Sequence, residues 1–198
     1  MINIFRFVVL AGSLLLPPAA AHAEWRAVEQ VQSYAITGTT PGELYASIGE
    51  RGPAVGIGTR TIALTNFKLT WRRDYQPRNG ACVLASAVPK LIITYSLPKP
   101  AAKLPPETRQ RWEVFIAGVE AHERVHGEHI KEMVAKIEAA SVGLTVADDP
   151  NCTKIRTQLQ QRLGELSQEQ RRRSRDFDRV ELGEGGNIHQ MILRLVNG

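Results

Sequence analysis

The segment His122-Glu123-Arg124-Val125-His126 sets two imidazoles four residues apart with a carboxylate between them. On a helix, His122 and His126 stand one turn apart and can each present a ring nitrogen to a single divalent ion. Glu123 lies beside them, where a carboxylate can take a proton from an activated water. Zinc is the ion this spacing suits, and hydrolysis of a peptide bond is the chemistry it predicts. His122, His126 and His129 fall close together, whereas the remaining histidines, His22 and His189, are far away in the chain. The same short pattern also arises by chance, and its His and Glu are then surface groups or a hydrogen-bonded core pair.

The surroundings of the motif favour a site. Apolar residues at Trp112, Phe115, Ile116, Val119, Ile130, Met133, Val134 and Ile137 recur at helical spacing. They predict a long helix from Pro105 or Pro106 to Ala140, with Gly143 beyond its end as a stop. At about 100° per residue, with Val119 as zero, His126 falls within about 20° of the apolar stripe, Glu123 about 40° to one side and His122 about 60° to the other. Glu120, Arg124, Glu128, Lys131 and Glu132 point away from the stripe. Burying a carboxylate and two imidazoles without partners costs on the order of several kcal/mol, and a bound cation removes that cost. A third protein ligand is expected for a catalytic zinc. His129 lies on the same side, two turns from His122, and is the first candidate. The H-E-x-x-H-x-x-G-x-x-H extension that would name it is absent. Glu165 and Glu169 offer a glutamate alternative, and Asp148, Asp149, Asp176, Asp178, Glu181 and His189 are further candidates.

The elements that must hold this helix read as an α+β fold. A small antiparallel β-sheet in the N-terminal half packs against two long helices, the first carrying the motif, in a zincin-like arrangement. A short strand is expected at Tyr34 to Gly38, then a helix from Pro41 to Ile48 with Thr40 as cap and Pro at its first position. Gly49 to Gly58 reads as a loop. The runs Thr61 to Tyr75 and Cys82 to Leu97 are rich in β-branched and aromatic residues and read as a hairpin with a longer turn over Gln76 to Gly80. Pro98 to Pro106 reads as a stiff extended connector. A second helix from Asn151 to Arg175 buries Leu159, Leu163 and Leu166, with Asn151 as its cap.

Residues 1–23 combine Arg6, the apolar run Phe7 to Leu16 and the tripeptide Ala21-His22-Ala23, the layout of a cleaved secretory leader. The apolar run is short of the roughly 20 residues that span a bilayer. Residues 24–198 are then expected to be one exported domain without a stable membrane anchor, divided into a β-rich half (24–97), the connector (98–106) and a helical half (107–198). Periplasm or extracellular space is the expected location, and there Cys82 and Cys152 can form a disulfide. The formal net charge of +5 is modest and spread out, so no nucleic-acid footprint is expected. The one dense cluster, Arg171-Arg172-Arg173-Ser174-Arg175, reads as the solvated end of a helix, where cations complement the macrodipole.

Laid out this way, the chain resembles a bacterial family of predicted secreted zinc-dependent proteases that is also catalogued as a domain of unknown function. The likeness rests on Tyr34 with Gly38, the helix after Thr40-Pro41-Gly42-Glu43-Leu44, the strand reaching Trp71, Cys82 before another strand, Leu97-Pro98, Trp112, and the motif from His122 to His126. It implies an exported metallopeptidase acting on a peptide or protein of the envelope. Many members carry Tyr-Asp-x-x-Thr-x-His-Gly after the second helix, and its His is a natural third ligand. Here the stretch is Phe177-Asp178-Arg179-Val180-Glu181-Leu182-Gly183, without that His. The departure keeps open a rival expectation, a non-catalytic envelope protein with a structural or vestigial metal site. A metal-free, pH-responsive His cluster is a third.

Overall fold

The computed structural model describes residues 25–197, so the leader expected over 1–23 lies outside the described residues. Strand β1 (Val28–Ile36) leads to α1 (Pro41–Arg51), a small hairpin of β2 (Ala54–Gly56) and β3 (Thr59–Arg60), and the long strands β4 (Leu64–Arg78) and β5 (Ala81–Pro100). Helix α2 (Pro106–Ser141), the short β6 (Thr145–Val146), α3 (Lys154–Leu182) and α4 (Asn187–Asn197) follow.

The class is α+β, but the sheet is mixed where an antiparallel one was expected. Its order is β1-β5-β4, with β6 against the start of β5. β4 and β5 are antiparallel as predicted, while β1 runs parallel to β5 from Val28 opposite Ile92 to Ile36 opposite Pro100. Parallel neighbours need a long connection, and α1, the small hairpin and β4 together supply it. The expected loop over Gly49 to Gly58 is instead the end of α1 and part of the β2–β3 hairpin.

The turn between β4 and β5 is tight rather than long. Asn79 and Gly80 have φ of 49° and 80°, the pair of left-handed residues that a two-residue turn matched to strand twist requires. Pro77 stays inside β4 because β4 is an edge strand, where a missing N–H breaks no ladder on the open side. The proline connector is shortened for a related reason. β4 stops at Leu64 opposite Ser96, so β5 has an open side from Leu97 onward and carries Pro98 and Pro100 while pairing with β1.

Side chains alternate along β5, with Leu91, Ile93, Tyr95 and Leu97 buried. They meet Trp112, Phe115, Val119, Ile130, Met133, Val134 and Ile137 of α2, the stripe read from the sequence. Each such side chain stabilises the seat of α2 on the sheet by about 1.5–3 kcal/mol. A second apolar cluster gathers Cys82, Leu84, Ala87, Cys152, Ile155 and Leu159. Cys82 and Cys152 are disulfide-bonded, with Cα atoms 5.2 Å apart.

Helix α3 departs most from expectation. It starts at Lys154 rather than Asn151 and continues to Leu182 rather than stopping at Arg175. Asp149, not Asn151, caps it: its carboxylate accepts hydrogen bonds from the N–H groups of Thr153, Lys154 and Ile155 at 2.8, 3.1 and 2.9 Å. The arginine cluster is therefore in the middle of a helix. The apolar tail forms α4, which folds back to bury Ile188 and Leu195. No helix among the described residues is long and apolar enough to cross a membrane.

Candidate metal centre

His122, Glu123 and His126 sit on the α2 face turned toward β4 and α3. His122 and Glu123 are buried, at 8% and 6% exposure. The backbone that carries them is seated closely on the sheet. A Cβ placed on Gly127 would lie 2.1 Å from Tyr95 Oη, so only glycine allows this approach. Tyr95 donates a hydrogen bond to Glu29 (2.9 Å), and Glu29 also accepts from Arg124 (2.7 Å) and Lys131 (2.9 Å). The Arg124 guanidinium lies over the Tyr95 ring, 4.3 Å from its centroid. The charged residues of α2 that point away from the site thus clamp the helix to β1 and β5.

The lengthened α3 brings Asp178 to the two imidazoles. Asp178 Oδ1 is 3.1 Å from His122 Nε2 and 2.8 Å from His126 Nε2, and the two nitrogens are 3.2 Å apart. Phe177 stacks on His122, ring centroids 4.7 Å apart, and meets His126 edge-on. Among the described residues, His122, His126 and Asp178 form a group able to hold a metal ion. The donor set fits one. Four ligands at about 2.0–2.1 Å from a tetrahedral zinc lie about 3.3 Å from one another, close to the spacing of these three atoms. Among the described residues, Nδ1 of His122 is buried without a hydrogen-bond partner.

The charges in the site are tuned by one another. Burial raises the pKa of Glu123, and the opposing pull of Thr65 and both imidazoles does not cancel it. Thr65 of β4 donates to Glu123 Oε2 at 2.5 Å and is 3.1 Å from its backbone carbonyl. Burial disfavours a charged His126, but the hydrogen bond and charge of Asp178 prevail and raise it. Burial would likewise raise Asp178, yet hydrogen bonds from His122 and His126 hold it well below the usual carboxylate range.

His129 lies outside this group. Its Nδ1 is 3.4 Å from Ser174 Oγ, and burial with the nearby Arg173 charge lowers its pKa. The other candidates are spread along the helices. Glu169 pairs with Lys136, Asp149 caps α3, Asp176 pairs with Arg179, and His189 accepts from the Gly185 N–H. Glu165 and Asp148 are not in the group. Glu181 approaches from the far side of His122, its Oε2 4.0 Å from Nδ1. Thr65 escaped the sequence reading because only the tertiary fold sets β4 beside α2. Asp178 was one acid among several. The signal for it was the spacing Ser167, Ser174, Asp178, which continues one face of α3 past the arginines.

The group opens into a cleft of about 550 Å³. One wall is the chain from Thr61 to Phe67 leading into β4, and the other is α3 with Gln170, Arg171 and Ser174. Val55 of the β2–β3 hairpin lines it too, and Ile57 at the hairpin tip is fully exposed.

No curated protein and no solved structure matches the chain. A family model described as "Bacterial protein of unknown function (DUF922)" matches residues 31–186, and the chain belongs to that family.

Proposed function

We propose that the protein is a zinc-dependent metallopeptidase of the bacterial envelope, with His122, His126 and Asp178 as zinc ligands and Glu123 as general base. The observation that carries this reading is the convergence of two imidazole nitrogens and one carboxylate oxygen, spaced like the face of a tetrahedron, with a buried glutamate beside them. A bound zinc ion would supply Lewis acidity, polarising a scissile carbonyl and acidifying an attacking water. Glu123 is suited to take that proton, because burial raises its pKa while Thr65 fixes Oε2 and leaves Oε1 to act. In this reading Asp178 takes the role for which His129 was the first candidate, from the same stretch, the last turns of α3, in which the family His is missing. Two imidazoles and a carboxylate also serve iron(II) in oxygenases; the base beside them favours hydrolysis.

A peptide substrate suits the cleft. Among the described residues β4 pairs on one side only, so an extended chain can lie along its open edge with side chains toward the apolar wall. Arg171 places a cation in the opposite wall for an anionic group of the substrate. Export to an oxidising compartment is supported by the disulfide.

Elemental analysis of the purified chain, followed by cleavage of a quenched peptide library, tests the proposal. Zinc at one per chain is expected. Glu123→Ala should keep zinc and lose cleavage, whereas His126→Ala should lose both. Zinc without cleavage above the Glu123→Ala background would favour the non-catalytic structural site. A chain that stays metal-free in excess zinc would end the metal reading altogether.

A further inference from the structure

We propose that Glu181 is the positioning residue for His122, and that Asn187 of α4 aims it. The inference rests on the metal reading above and adds the element that orients one of the ligands. A neutral imidazole that turns Nε2 toward a cation carries its proton on Nδ1, and that N–H needs an acceptor. Nδ1 of His122 is buried and, among the described residues, has no hydrogen-bond partner. The carboxylate facing it is Glu181, with Oε2 at 4.0 Å, about 1 Å beyond an ordinary N···O hydrogen bond. Its other oxygen, Oε1, accepts from Asn187 Nδ2 at 2.8 Å.

The sequence builds this arrangement locally. Asp178 and Glu181 are three residues apart on α3, so one turn of helix presents one carboxylate to each side of the His122 ring. Phe177, stacked on that ring, closes a third side. The return to Asn187 needs Gly186. A Cβ there would lie 2.2 Å from the Val180 carbonyl oxygen and 2.4 Å from that of Glu181. α4 is then anchored by Ile188 and Leu195 in the core, which holds Asn187 at the Glu181 carboxylate. The C-terminal helix thus reaches the site through this hydrogen bond, and its Ile188 lines the cleft.

Zinc affinity of the full chain, measured by competition with a chromophoric chelator, tests this. Glu181→Leu should weaken zinc binding by about 10–100-fold, the usual effect of losing such a partner. Glu181→Gln keeps an acceptor oxygen and should recover most of the loss, and Asn187→Leu should weaken binding several-fold. In zinc-loaded wild type, nitrogen-15 NMR should find the His122 proton on Nδ1 and protected from exchange; in Glu181→Leu that protection should disappear. Equal melting temperatures of the metal-free forms would show that the loss is not one of folding. The inference is overturned if Glu181→Leu holds zinc within about twofold of wild type, or if the Gln and Leu variants fall equally. Either result leaves the metal reading standing, whereas a wild type that takes up no zinc sinks both.

Discussion

At the N-terminal end of α3 the polar groups are closed off. Asp149, 3% exposed, accepts three backbone N–H groups, and the adjoining disulfide ties the start of the helix to β5. Near the C-terminal end of the same helix Asp178 shares one oxygen between two imidazoles, and one of those rings has a buried nitrogen with no partner among the described residues. At the first end the buried carboxylate finds its hydrogen bonds within the fold. The second holds titratable groups together against their desolvation cost. The difference sets a capped, crosslinked start of α3 against a last stretch where titratable groups converge, the end on which the proposed function rests.

The largest expected effect comes from opening the closed end. Cys82 and Cys152 are 70 residues apart in sequence, and in the chain-entropy model a crosslink of that span stabilises the fold by about 4 kcal/mol. Cys82→Ser with Cys152→Ser should lower the denaturation midpoint accordingly, read by urea melts with chelator present. Zinc affinity of the folded variant should stay within a few-fold of wild type, because Cys152 and Asp178 lie at opposite ends of α3. A parallel collapse of zinc affinity would mean that the two ends are not separate.

The next effect strikes the seat of the motif helix. Gly127→Ala forces a methyl into the Tyr95 hydroxyl, and overpacking of this kind costs about 1–3 kcal/mol. Urea melts should show that loss, and zinc binding should weaken as α2 is pushed from its place relative to Asp178. Adding Tyr95→Phe removes the clashing oxygen and should restore much of both. Lost stability with unchanged zinc affinity would show that the seat does not set the ligand geometry.

These contrasts also explain what could be read from the sequence. The α2 stripe, the His122 to His126 spacing and the pairing of β4 with β5 depend on near neighbours in the chain, so periodicity exposed them. The parallel β1–β5 pair, the reach of Thr65 to Glu123 and the approach of Asp178 to both imidazoles depend on contacts between residues tens of positions apart. The arginine cluster misled for a physical reason. Cations complement the dipole at a helix C-terminus, yet Arg173 is used in mid-helix to pair with Glu132 of α2, and the helix runs on.

The smallest effect sharpens the open end and turns on pH. In chelator, Asp178 has its pKa lowered by the imidazoles and His126 has its pKa raised by Asp178. The Asp178 contribution is full above the unfolded carboxylate pKa of about 3.9 and is lost as pH falls through the lower folded value. The His126 contribution is full below about 6.5 and is lost as pH rises through its higher folded value. The pair therefore stabilises the metal-free protein most between about pH 4 and 6.5. Because Asp178 is 41% exposed, solvent screening limits the gain to on the order of 1 kcal/mol. Melting temperatures of wild type minus Asp178→Asn across pH 3 to 9 should trace a low maximum in that window. Saturating zinc should replace it with a difference that grows toward neutral pH, since the cation binds imidazoles that have lost their protons. A difference that stays flat with pH, with and without zinc, would mean that Asp178 only packs against the rings.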